Sequence, residues 1–150
     1  MGGLVVKNKE LFVDNKSRVI EVNVLGDERG LLTVIEENLT IPFEIKRVFY
    51  IYNTQNEVRR GFHGHYKTRQ ALISVAGSCK VYLDNLQRKQ EVILDTPQKV
   101  LLLEPNDWHE MYDFTPDCVL LVLASHHYDP EDYIRDYKLF KEVYSSCQAT

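Results

Sequence analysis

A chain of 150 residues with 44% hydrophobic content is long enough for one sizeable core and too short for two, so a single domain is expected. Its net charge of −4 argues against broad nucleic-acid binding, which needs a basic face, and its longest apolar stretch, Val119 to Ala124, is strand-sized and far too short to span a bilayer. No N-terminal segment joins a basic start to a long apolar run, and Cys79, Cys118 and Cys147 form no CxxC pair, so the reading is a cytoplasmic protein with free thiols.

Residues 1–17 lack clear periodicity and read as a loose arm or as a strand given to a partner subunit. From Arg18 onward the chain is a series of short β-type runs broken by turn residues. "RVIEVNV" alternates apolar and polar side chains, "GDERG" turns the chain, and "LLTVIE" and the β-branched, aromatic "IKRVFYIYN" follow. "QALISVA", a turn at Gly77-Ser78, "CKVYLD", "EVILD" and a break at Thr96-Pro97 come next. "KVLLLE", a turn at Pro105-Asn106-Asp107, and "CVLLVLA" complete the series. No helix-length segment separates these runs, which excludes βαβ units and predicts an all-β, antiparallel sandwich or barrel. The C-terminus changes character. Asp129-Pro130-Glu131-Asp132 reads as an N-cap, a proline at the first helical position and acids in the first turn, predicting a helix over residues 129–145. Tyr133, Tyr137, Phe140 and Tyr144 recur at helical spacing and are expected on its packed face.

The chemistry concentrates in "RRGFHGHYKTRQ", residues 59–70, around which Arg47, Arg59, Arg60 and Lys67 cluster in sequence. Residues two apart on a strand share a face, so His63 and His65 project together, with Gly61 on that face and Gly64 behind. Three readings are open for this pair. Two buried imidazoles satisfied by neighbours are the structural one. A metal site would draw on His63, His65 and the later His109, but the position where such sites place a carboxylate holds Gln70, a poor ligand without charge. Metal-free acid–base chemistry is the third: histidine titrates near neutrality, and two adjacent bases suit moving a carbonyl along a sugar through an enediol with no redox cofactor.

"RGFHGHYK", "GSCKVYLDN", "WHEMYDF", "CVLLVLAS" and "YDPEDYIRDY" in this order, with "IEENLTIPFEIKRVFYIYNT" ahead of them, the whole running from about Gly26 to Tyr137, resemble the sugar nucleotide 3,4-ketoisomerases of the cupin superfamily. The resemblance implies a cupin jelly roll, often a homodimer with exchanged N-terminal strands, that needs no cofactor or metal. The implied substrate is dTDP-4-keto-6-deoxy-D-glucose, converted to a 3-keto sugar for later amination to a 3-amino-3,6-dideoxy sugar of a surface polysaccharide, such as an O-antigen or S-layer glycan. Carried over by motif, His63 is the base at C3, His65 helps shuttle the proton toward C4, and Tyr50 supplies a hydroxyl. Arg60 takes a diphosphate-contacting place and Arg47 a further substrate contact. Arg29, after the "GD" turn, and His109, in "WHEM", resemble the members that give the galacto-configured product; the gluco product is the alternative. Tyr82 and Trp108 suit stacking on a base or sugar and equally suit core packing. Rival readings are a non-catalytic sugar-nucleotide-binding cupin, a metal-dependent cupin enzyme and a dTDP-sugar 3,5-epimerase; paired histidines and "WHEM" favour the ketoisomerase over the last.

Overall fold

In the computed structural model, which describes residues 18–55 and 57–145, the alternating runs fold as antiparallel strands. In chain order these are β1 (Val19–Glu21), β2 (Val24–Asp27), β3 (Gly30–Thr33), β4 (Arg47–Ile51), β5 (Arg60–His65), β6 (Gln70–Ala76), β7 (Cys79–Asp84), β8 (Lys89–Leu94), β9 (Lys99–Leu103), β10 (Trp108–Tyr112), β11 (Val119–Ala124) and β12 (Tyr133–Ile134). One five-stranded sheet has the order β1-β9-β6-β11-β4 and faces a second with the order β12-β5-β10-β7-β8; β2 and β3 form a separate hairpin. This is the jelly-roll sandwich expected from the sequence. The residue 1–17 arm and Cys147 lie outside the described residues, while Cys79 and Cys118 are buried free thiols. Among the described residues no helix is long and apolar enough to cross a membrane.

The period-2 alternation decides what each sheet buries. Leu72, Leu101, Leu120 and Val122 of the first sheet meet Val81, Leu83 and Met111 of the second in the central core. The first sheet's other face, with Ile20, Ala71, Ile73 and Leu123, is covered by Ile41 and Phe43 of the connection before β4. The second sheet's other face is covered by the α-helix α1 (Tyr137–Ser145), the one α-helix among the described residues, whose Phe140 packs with Trp108 and Ile134.

The helix begins later than the sequence reading placed it. Asp129 does act as a cap, accepting from the Glu131 amide at 3.0 Å, but it caps a single 3₁₀ turn, Pro130–Asp132. The chain then extends as β12 and caps again at Asp136, whose carboxylate accepts from the amides of Lys138 at 2.8 Å and Leu139 at 3.3 Å. Tyr137, Phe140 and Tyr144 keep their place on the packed face, whereas Tyr133 leaves it for the edge of the second sheet, beside β5. The helix crosses β5 closely at Gly64. A Cβ there would lie 2.6 Å from the Phe140 ring, so the middle residue of "HGH" is a glycine because Phe140 occupies that space.

Candidate active site

The site is built around an irregularity in β5. His63 stands opposite His109, Gly61 opposite Glu110 and Arg60 opposite Met111, so Phe62 is an extra residue on this strand. Its φ of +57° and the +94° of Gly61 mark the bulge, and a Cβ on Gly61 would meet the His109 carbonyl at 2.7 Å. The bulge has three consequences. It turns Gly61 to the face of Glu110, against the expectation that it shares the histidine face, and it puts Arg60 on the face that His63 shares with Met111. It also lets the Gly61 carbonyl accept a hydrogen bond from His63 Nδ1 at 3.0 Å.

His63, His65 and His109 come together at the end of the central core. The ring centroids of His63 and His65 are 5.0 Å apart, those of His63 and His109 4.5 Å, and those of His65 and His109 5.9 Å. His109 Nδ1 donates to the Asp107 carbonyl at 3.1 Å, and Asp107 is in turn ion-paired with Arg18. A carbonyl oxygen can only accept, so Nδ1 carries the hydrogen in His63 and in His109, and Nε2 of each keeps its lone pair. His65 Nε2 is buried with no hydrogen-bond partner, as is Arg47 Nε.

Burial keeps all three rings neutral, with the neighbouring charges adding to the effect. Burial lowers the His63 pKa below its usual 6.5, partly offset by the hydrogen bond to Gly61, and the Arg135 charge lowers it further. His65 falls to about 3 through burial first, then through His63, Arg47 and Arg135. His109 is held well below 6.5, mainly by burial and also by the two other histidines. Burial disfavours charge of either sign here, and it is the Arg47 and Arg135 charges beside the rings that favour developing negative charge.

Among the residues singled out in the sequence, His63, His65, His109 and Arg47 are brought together, and Arg60 shares their face. Tyr50 is not. On β4 the inward positions are Arg47, Phe49 and Ile51, so Tyr50 has the opposite parity and stands 60% exposed beside Tyr52 on the outer face. Trp108 and Tyr82 are also on the far side of their sheet, in the cluster under α1, because each neighbours an inward residue on its strand. Trp108 is buried there against α1, and Tyr82 lies half-buried at the edge of the same cluster, away from the histidines. Arg29 lies at the β2–β3 turn, its side chain 83% exposed and bound to both carboxylate oxygens of Asp27, not at this chain's histidines.

Two residues at the site were not anticipated. The Tyr133 ring sits 4.8 Å from His63 and 4.7 Å from His65, and the Arg135 guanidinium lies 4.5 Å over that ring. The signal for them was the second cap: Asp136, directly before Tyr137, marks where the helix starts and leaves "YIR" as an extended segment.

The donor set does not fit a divalent cation. No group of three His, Cys, Asp or Glu among the described residues is arranged to hold one, and the buried inward residue of β6 next in line is the neutral amide of Gln70.

Residues 15–145 match the protein family described as "FdtA: WxcM-like, C-terminal". The chain is 50% identical over 127 residues to the TDP-4-oxo-6-deoxy-alpha-D-glucose-3,4-oxoisomerase of Aneurinibacillus thermoaerophilus, covering 85% of this chain and 91% of that protein. Among solved structures it resembles the 3,4-ketoisomerase QdtA of Thermoanaerobacterium thermosaccharolyticum, seen as a histidine-to-asparagine mutant with TDP-4-keto-6-deoxyglucose, at a TM-score of 0.84 and 39% identity over 88% of this chain and 96% of that one. A 3,4-ketoisomerase from Helicobacter canadensis superimposes with a TM-score of 0.82 at 38% identity, covering 85% and 96%. Fold, motif order and these likenesses converge: the chain belongs to the FdtA/WxcM-like family of sugar nucleotide 3,4-ketoisomerases and is an isomerase of the cupin-like fold.

Proposed function

We propose that the enzyme moves the keto group of dTDP-4-keto-6-deoxy-D-glucose from C4 to C3 by proton transfer alone, giving dTDP-3-keto-6-deoxy-D-galactose. The observation that carries this reading is the His63 tautomer: its Nδ1–H is committed to the Gly61 carbonyl, which makes Nε2 the proton acceptor beside two further neutral imidazoles. His63 takes the proton from C3, whose acidity comes from the adjacent C4 carbonyl. The resulting enediolate, negative on O4, is stabilised by the Arg47 and Arg135 charges and collects a proton to give the enediol. Loss of the O3 proton and delivery of a proton to C4, with His65 as the relay, leaves the carbonyl at C3 and a hydroxyl at C4. One C–H bond breaks, one forms, and no electron acceptor is needed. Arg60, on the same face, contacts the diphosphate in this reading.

The galacto product rests on His109, which shares the pocket with the base, and on Arg29. A proton NMR time course with the sugar nucleotide in D2O and EDTA tests the reading. New 3-keto resonances with deuterium at C4 of the product are the expected result, and in a parallel run in H2O a small coupling between the C4 and C5 protons identifies the axial hydroxyl of the galacto form. Exchange at C3 and C5 without carbonyl migration, or activity lost to EDTA, overturns it.

The enzyme acts as a homodimer in this reading, because the hairpin that carries Arg29 also exposes Leu31 and Leu32, at 78% and 57%, and Leu39 nearby at 72%. Pairing of that surface would bring Arg29 to the partner's histidines. Arg29→Ala and His63→Asn variants, each crippled alone, are expected to regain turnover when refolded together. A mixture as inactive as its components excludes a shared site.

A further inference from the structure

The short strand that delivers Tyr133 and Arg135 to the histidines cannot fix its own position. β12 has two residues and pairs with β5 only at Tyr133–His65 and Ile134–Gly64. The residue directly before it, Asp132, is 4% exposed, and a carboxylate so buried is costly unless donors surround it. They do. Oδ1 accepts from the amides of Tyr66 at 3.2 Å and Lys67 at 2.9 Å, and Oδ2 accepts from the Thr68 hydroxyl. The Asp132 carbonyl also takes the Tyr66 amide, at 3.0 Å.

These three partners, Tyr66 to Thr68, are the residues that immediately follow His65. We propose that Asp132 is a positioning residue of the isomerase: its carboxylate fixes the turn after His65 against the strand that carries Tyr133 and Arg135, and so sets the spacing between those two side chains and the histidine pair. This extends the function proposed above and rests on it for its catalytic consequence. An amide at this position could keep its oxygen on the two backbone N–H groups and donate its NH2 to the Thr68 hydroxyl, but it would lose the negative charge that strengthens all three bonds.

The groups that bear on the pair come from four elements: His63 and His65 on β5, Arg47 on β4, His109 on β10, and Tyr133 with Arg135 from β12 and the residue after it. The Tyr144 hydroxyl of α1 donates to the His65 carbonyl from behind and does not involve Asp132. Freeing β12 therefore removes the Arg135 charge and the Tyr133 ring from the histidines but leaves Arg47 and His109 in place. Both losses let the imidazoles accept a proton more readily.

Two variants separate positioning from mere stability. Asp132→Asn and the milder Thr68→Val, which deletes only the Oδ2 contact, are titrated by NMR of 15N-labelled histidine and assayed across pH. The expected result is that the His63 and His65 titrations, and the acid limb of kcat/KM, move up together, more in Asp132→Asn than in Thr68→Val. A fall in kcat/KM of about 10²-fold accompanies the larger shift, the scale of a reacting group displaced by about 1 Å. Arg135→Gln, with the clamp intact, raises the same titrations without lowering the Tm. Variants that lose Tm but keep the wild-type histidine titrations and pH profile reduce Asp132 to a structural role. If the wild-type protein does not turn over the sugar nucleotide, the functional reading falls while the histidine titrations still decide the clamp.

Discussion

His63→Asn is expected to lower kcat by about 10²–10⁴-fold, the range a positioned general base contributes, while the thermal transition stays close to wild type. Asparagine is the informative replacement. Its amide NH2 can donate to the Gly61 carbonyl as Nδ1–H does, so the bulge keeps its cross-link, yet it offers no nitrogen that accepts a proton near neutrality. His65 and His109 are not expected to substitute for the lost base, because the fold holds their rings in place and burial makes them weak bases. The measurement is a pair of curves, progress of 3-keto sugar formation and thermal unfolding. A variant that turns over like wild type removes His63 from the chemistry, and a variant with a large drop in Tm supports the reading of His63 as a core histidine.

Most of the fold was legible because period-2 alternation leaves few choices. β6 and β7 occupy the quoted runs "QALISVA" and "CKVYLD" residue for residue, and the shared face of His63 and His65 follows from the same rule. The same rule, applied one step further, would have removed three candidates. Trp108 adjoins His109, Tyr82 lies between the core residues Val81 and Leu83, and Tyr50 adjoins the buried Ile51, so all three had to face away from the histidines. Arg60 is the opposite case. Three positions from His63, it should face away, and only the extra residue at Phe62 brings it round; "GF" in a strand hints at a bulge but does not fix its register. Tyr133 was hidden for another reason. A two-residue strand has no periodicity to read, and the aromatic spacing through Tyr137 and Phe140 continued smoothly across a cap that ended one turn and a second that began the helix. What the sequence conceals is thus where local backbone geometry departs from repeat, and in this molecule those departures surround the site.

Neutral histidines in a buried pocket also set the acid limit of the protein. A histidine in the unfolded chain takes up a proton near pH 6.5, whereas His65 in the folded chain does so only near pH 3, and His109 is likewise held well below 6.5. Between those values the unfolded state binds more protons, so stability rises with pH through this window and is lost as pH falls from 6.5 toward 3. His65 costs about 1.4 kcal/mol per pH unit below 6.5, or about 2 kcal/mol between pH 7 and 5, and His109 adds to the loss in the same direction. Carboxylates do not mimic the effect. Asp27 and Asp95, whose pKa values are lowered from 3.8 by their hydrogen bonds to Arg29 and Lys99, release their contribution only below pH 4. Urea unfolding at pH 7, 6 and 5 is therefore expected to show a steep loss of stability; His65→Gln should flatten the slope by about one proton, and His109→Gln should flatten it as well. A wild-type profile flat from pH 7 to 5, or a slope untouched by both substitutions, is incompatible with rings kept neutral by the pocket. The same shift serves the chemistry: because His63 stays unprotonated below 6.5, turnover persists into mildly acidic solution, and its acid limit is set jointly by protonation of the base and by the fold that keeps that base dry.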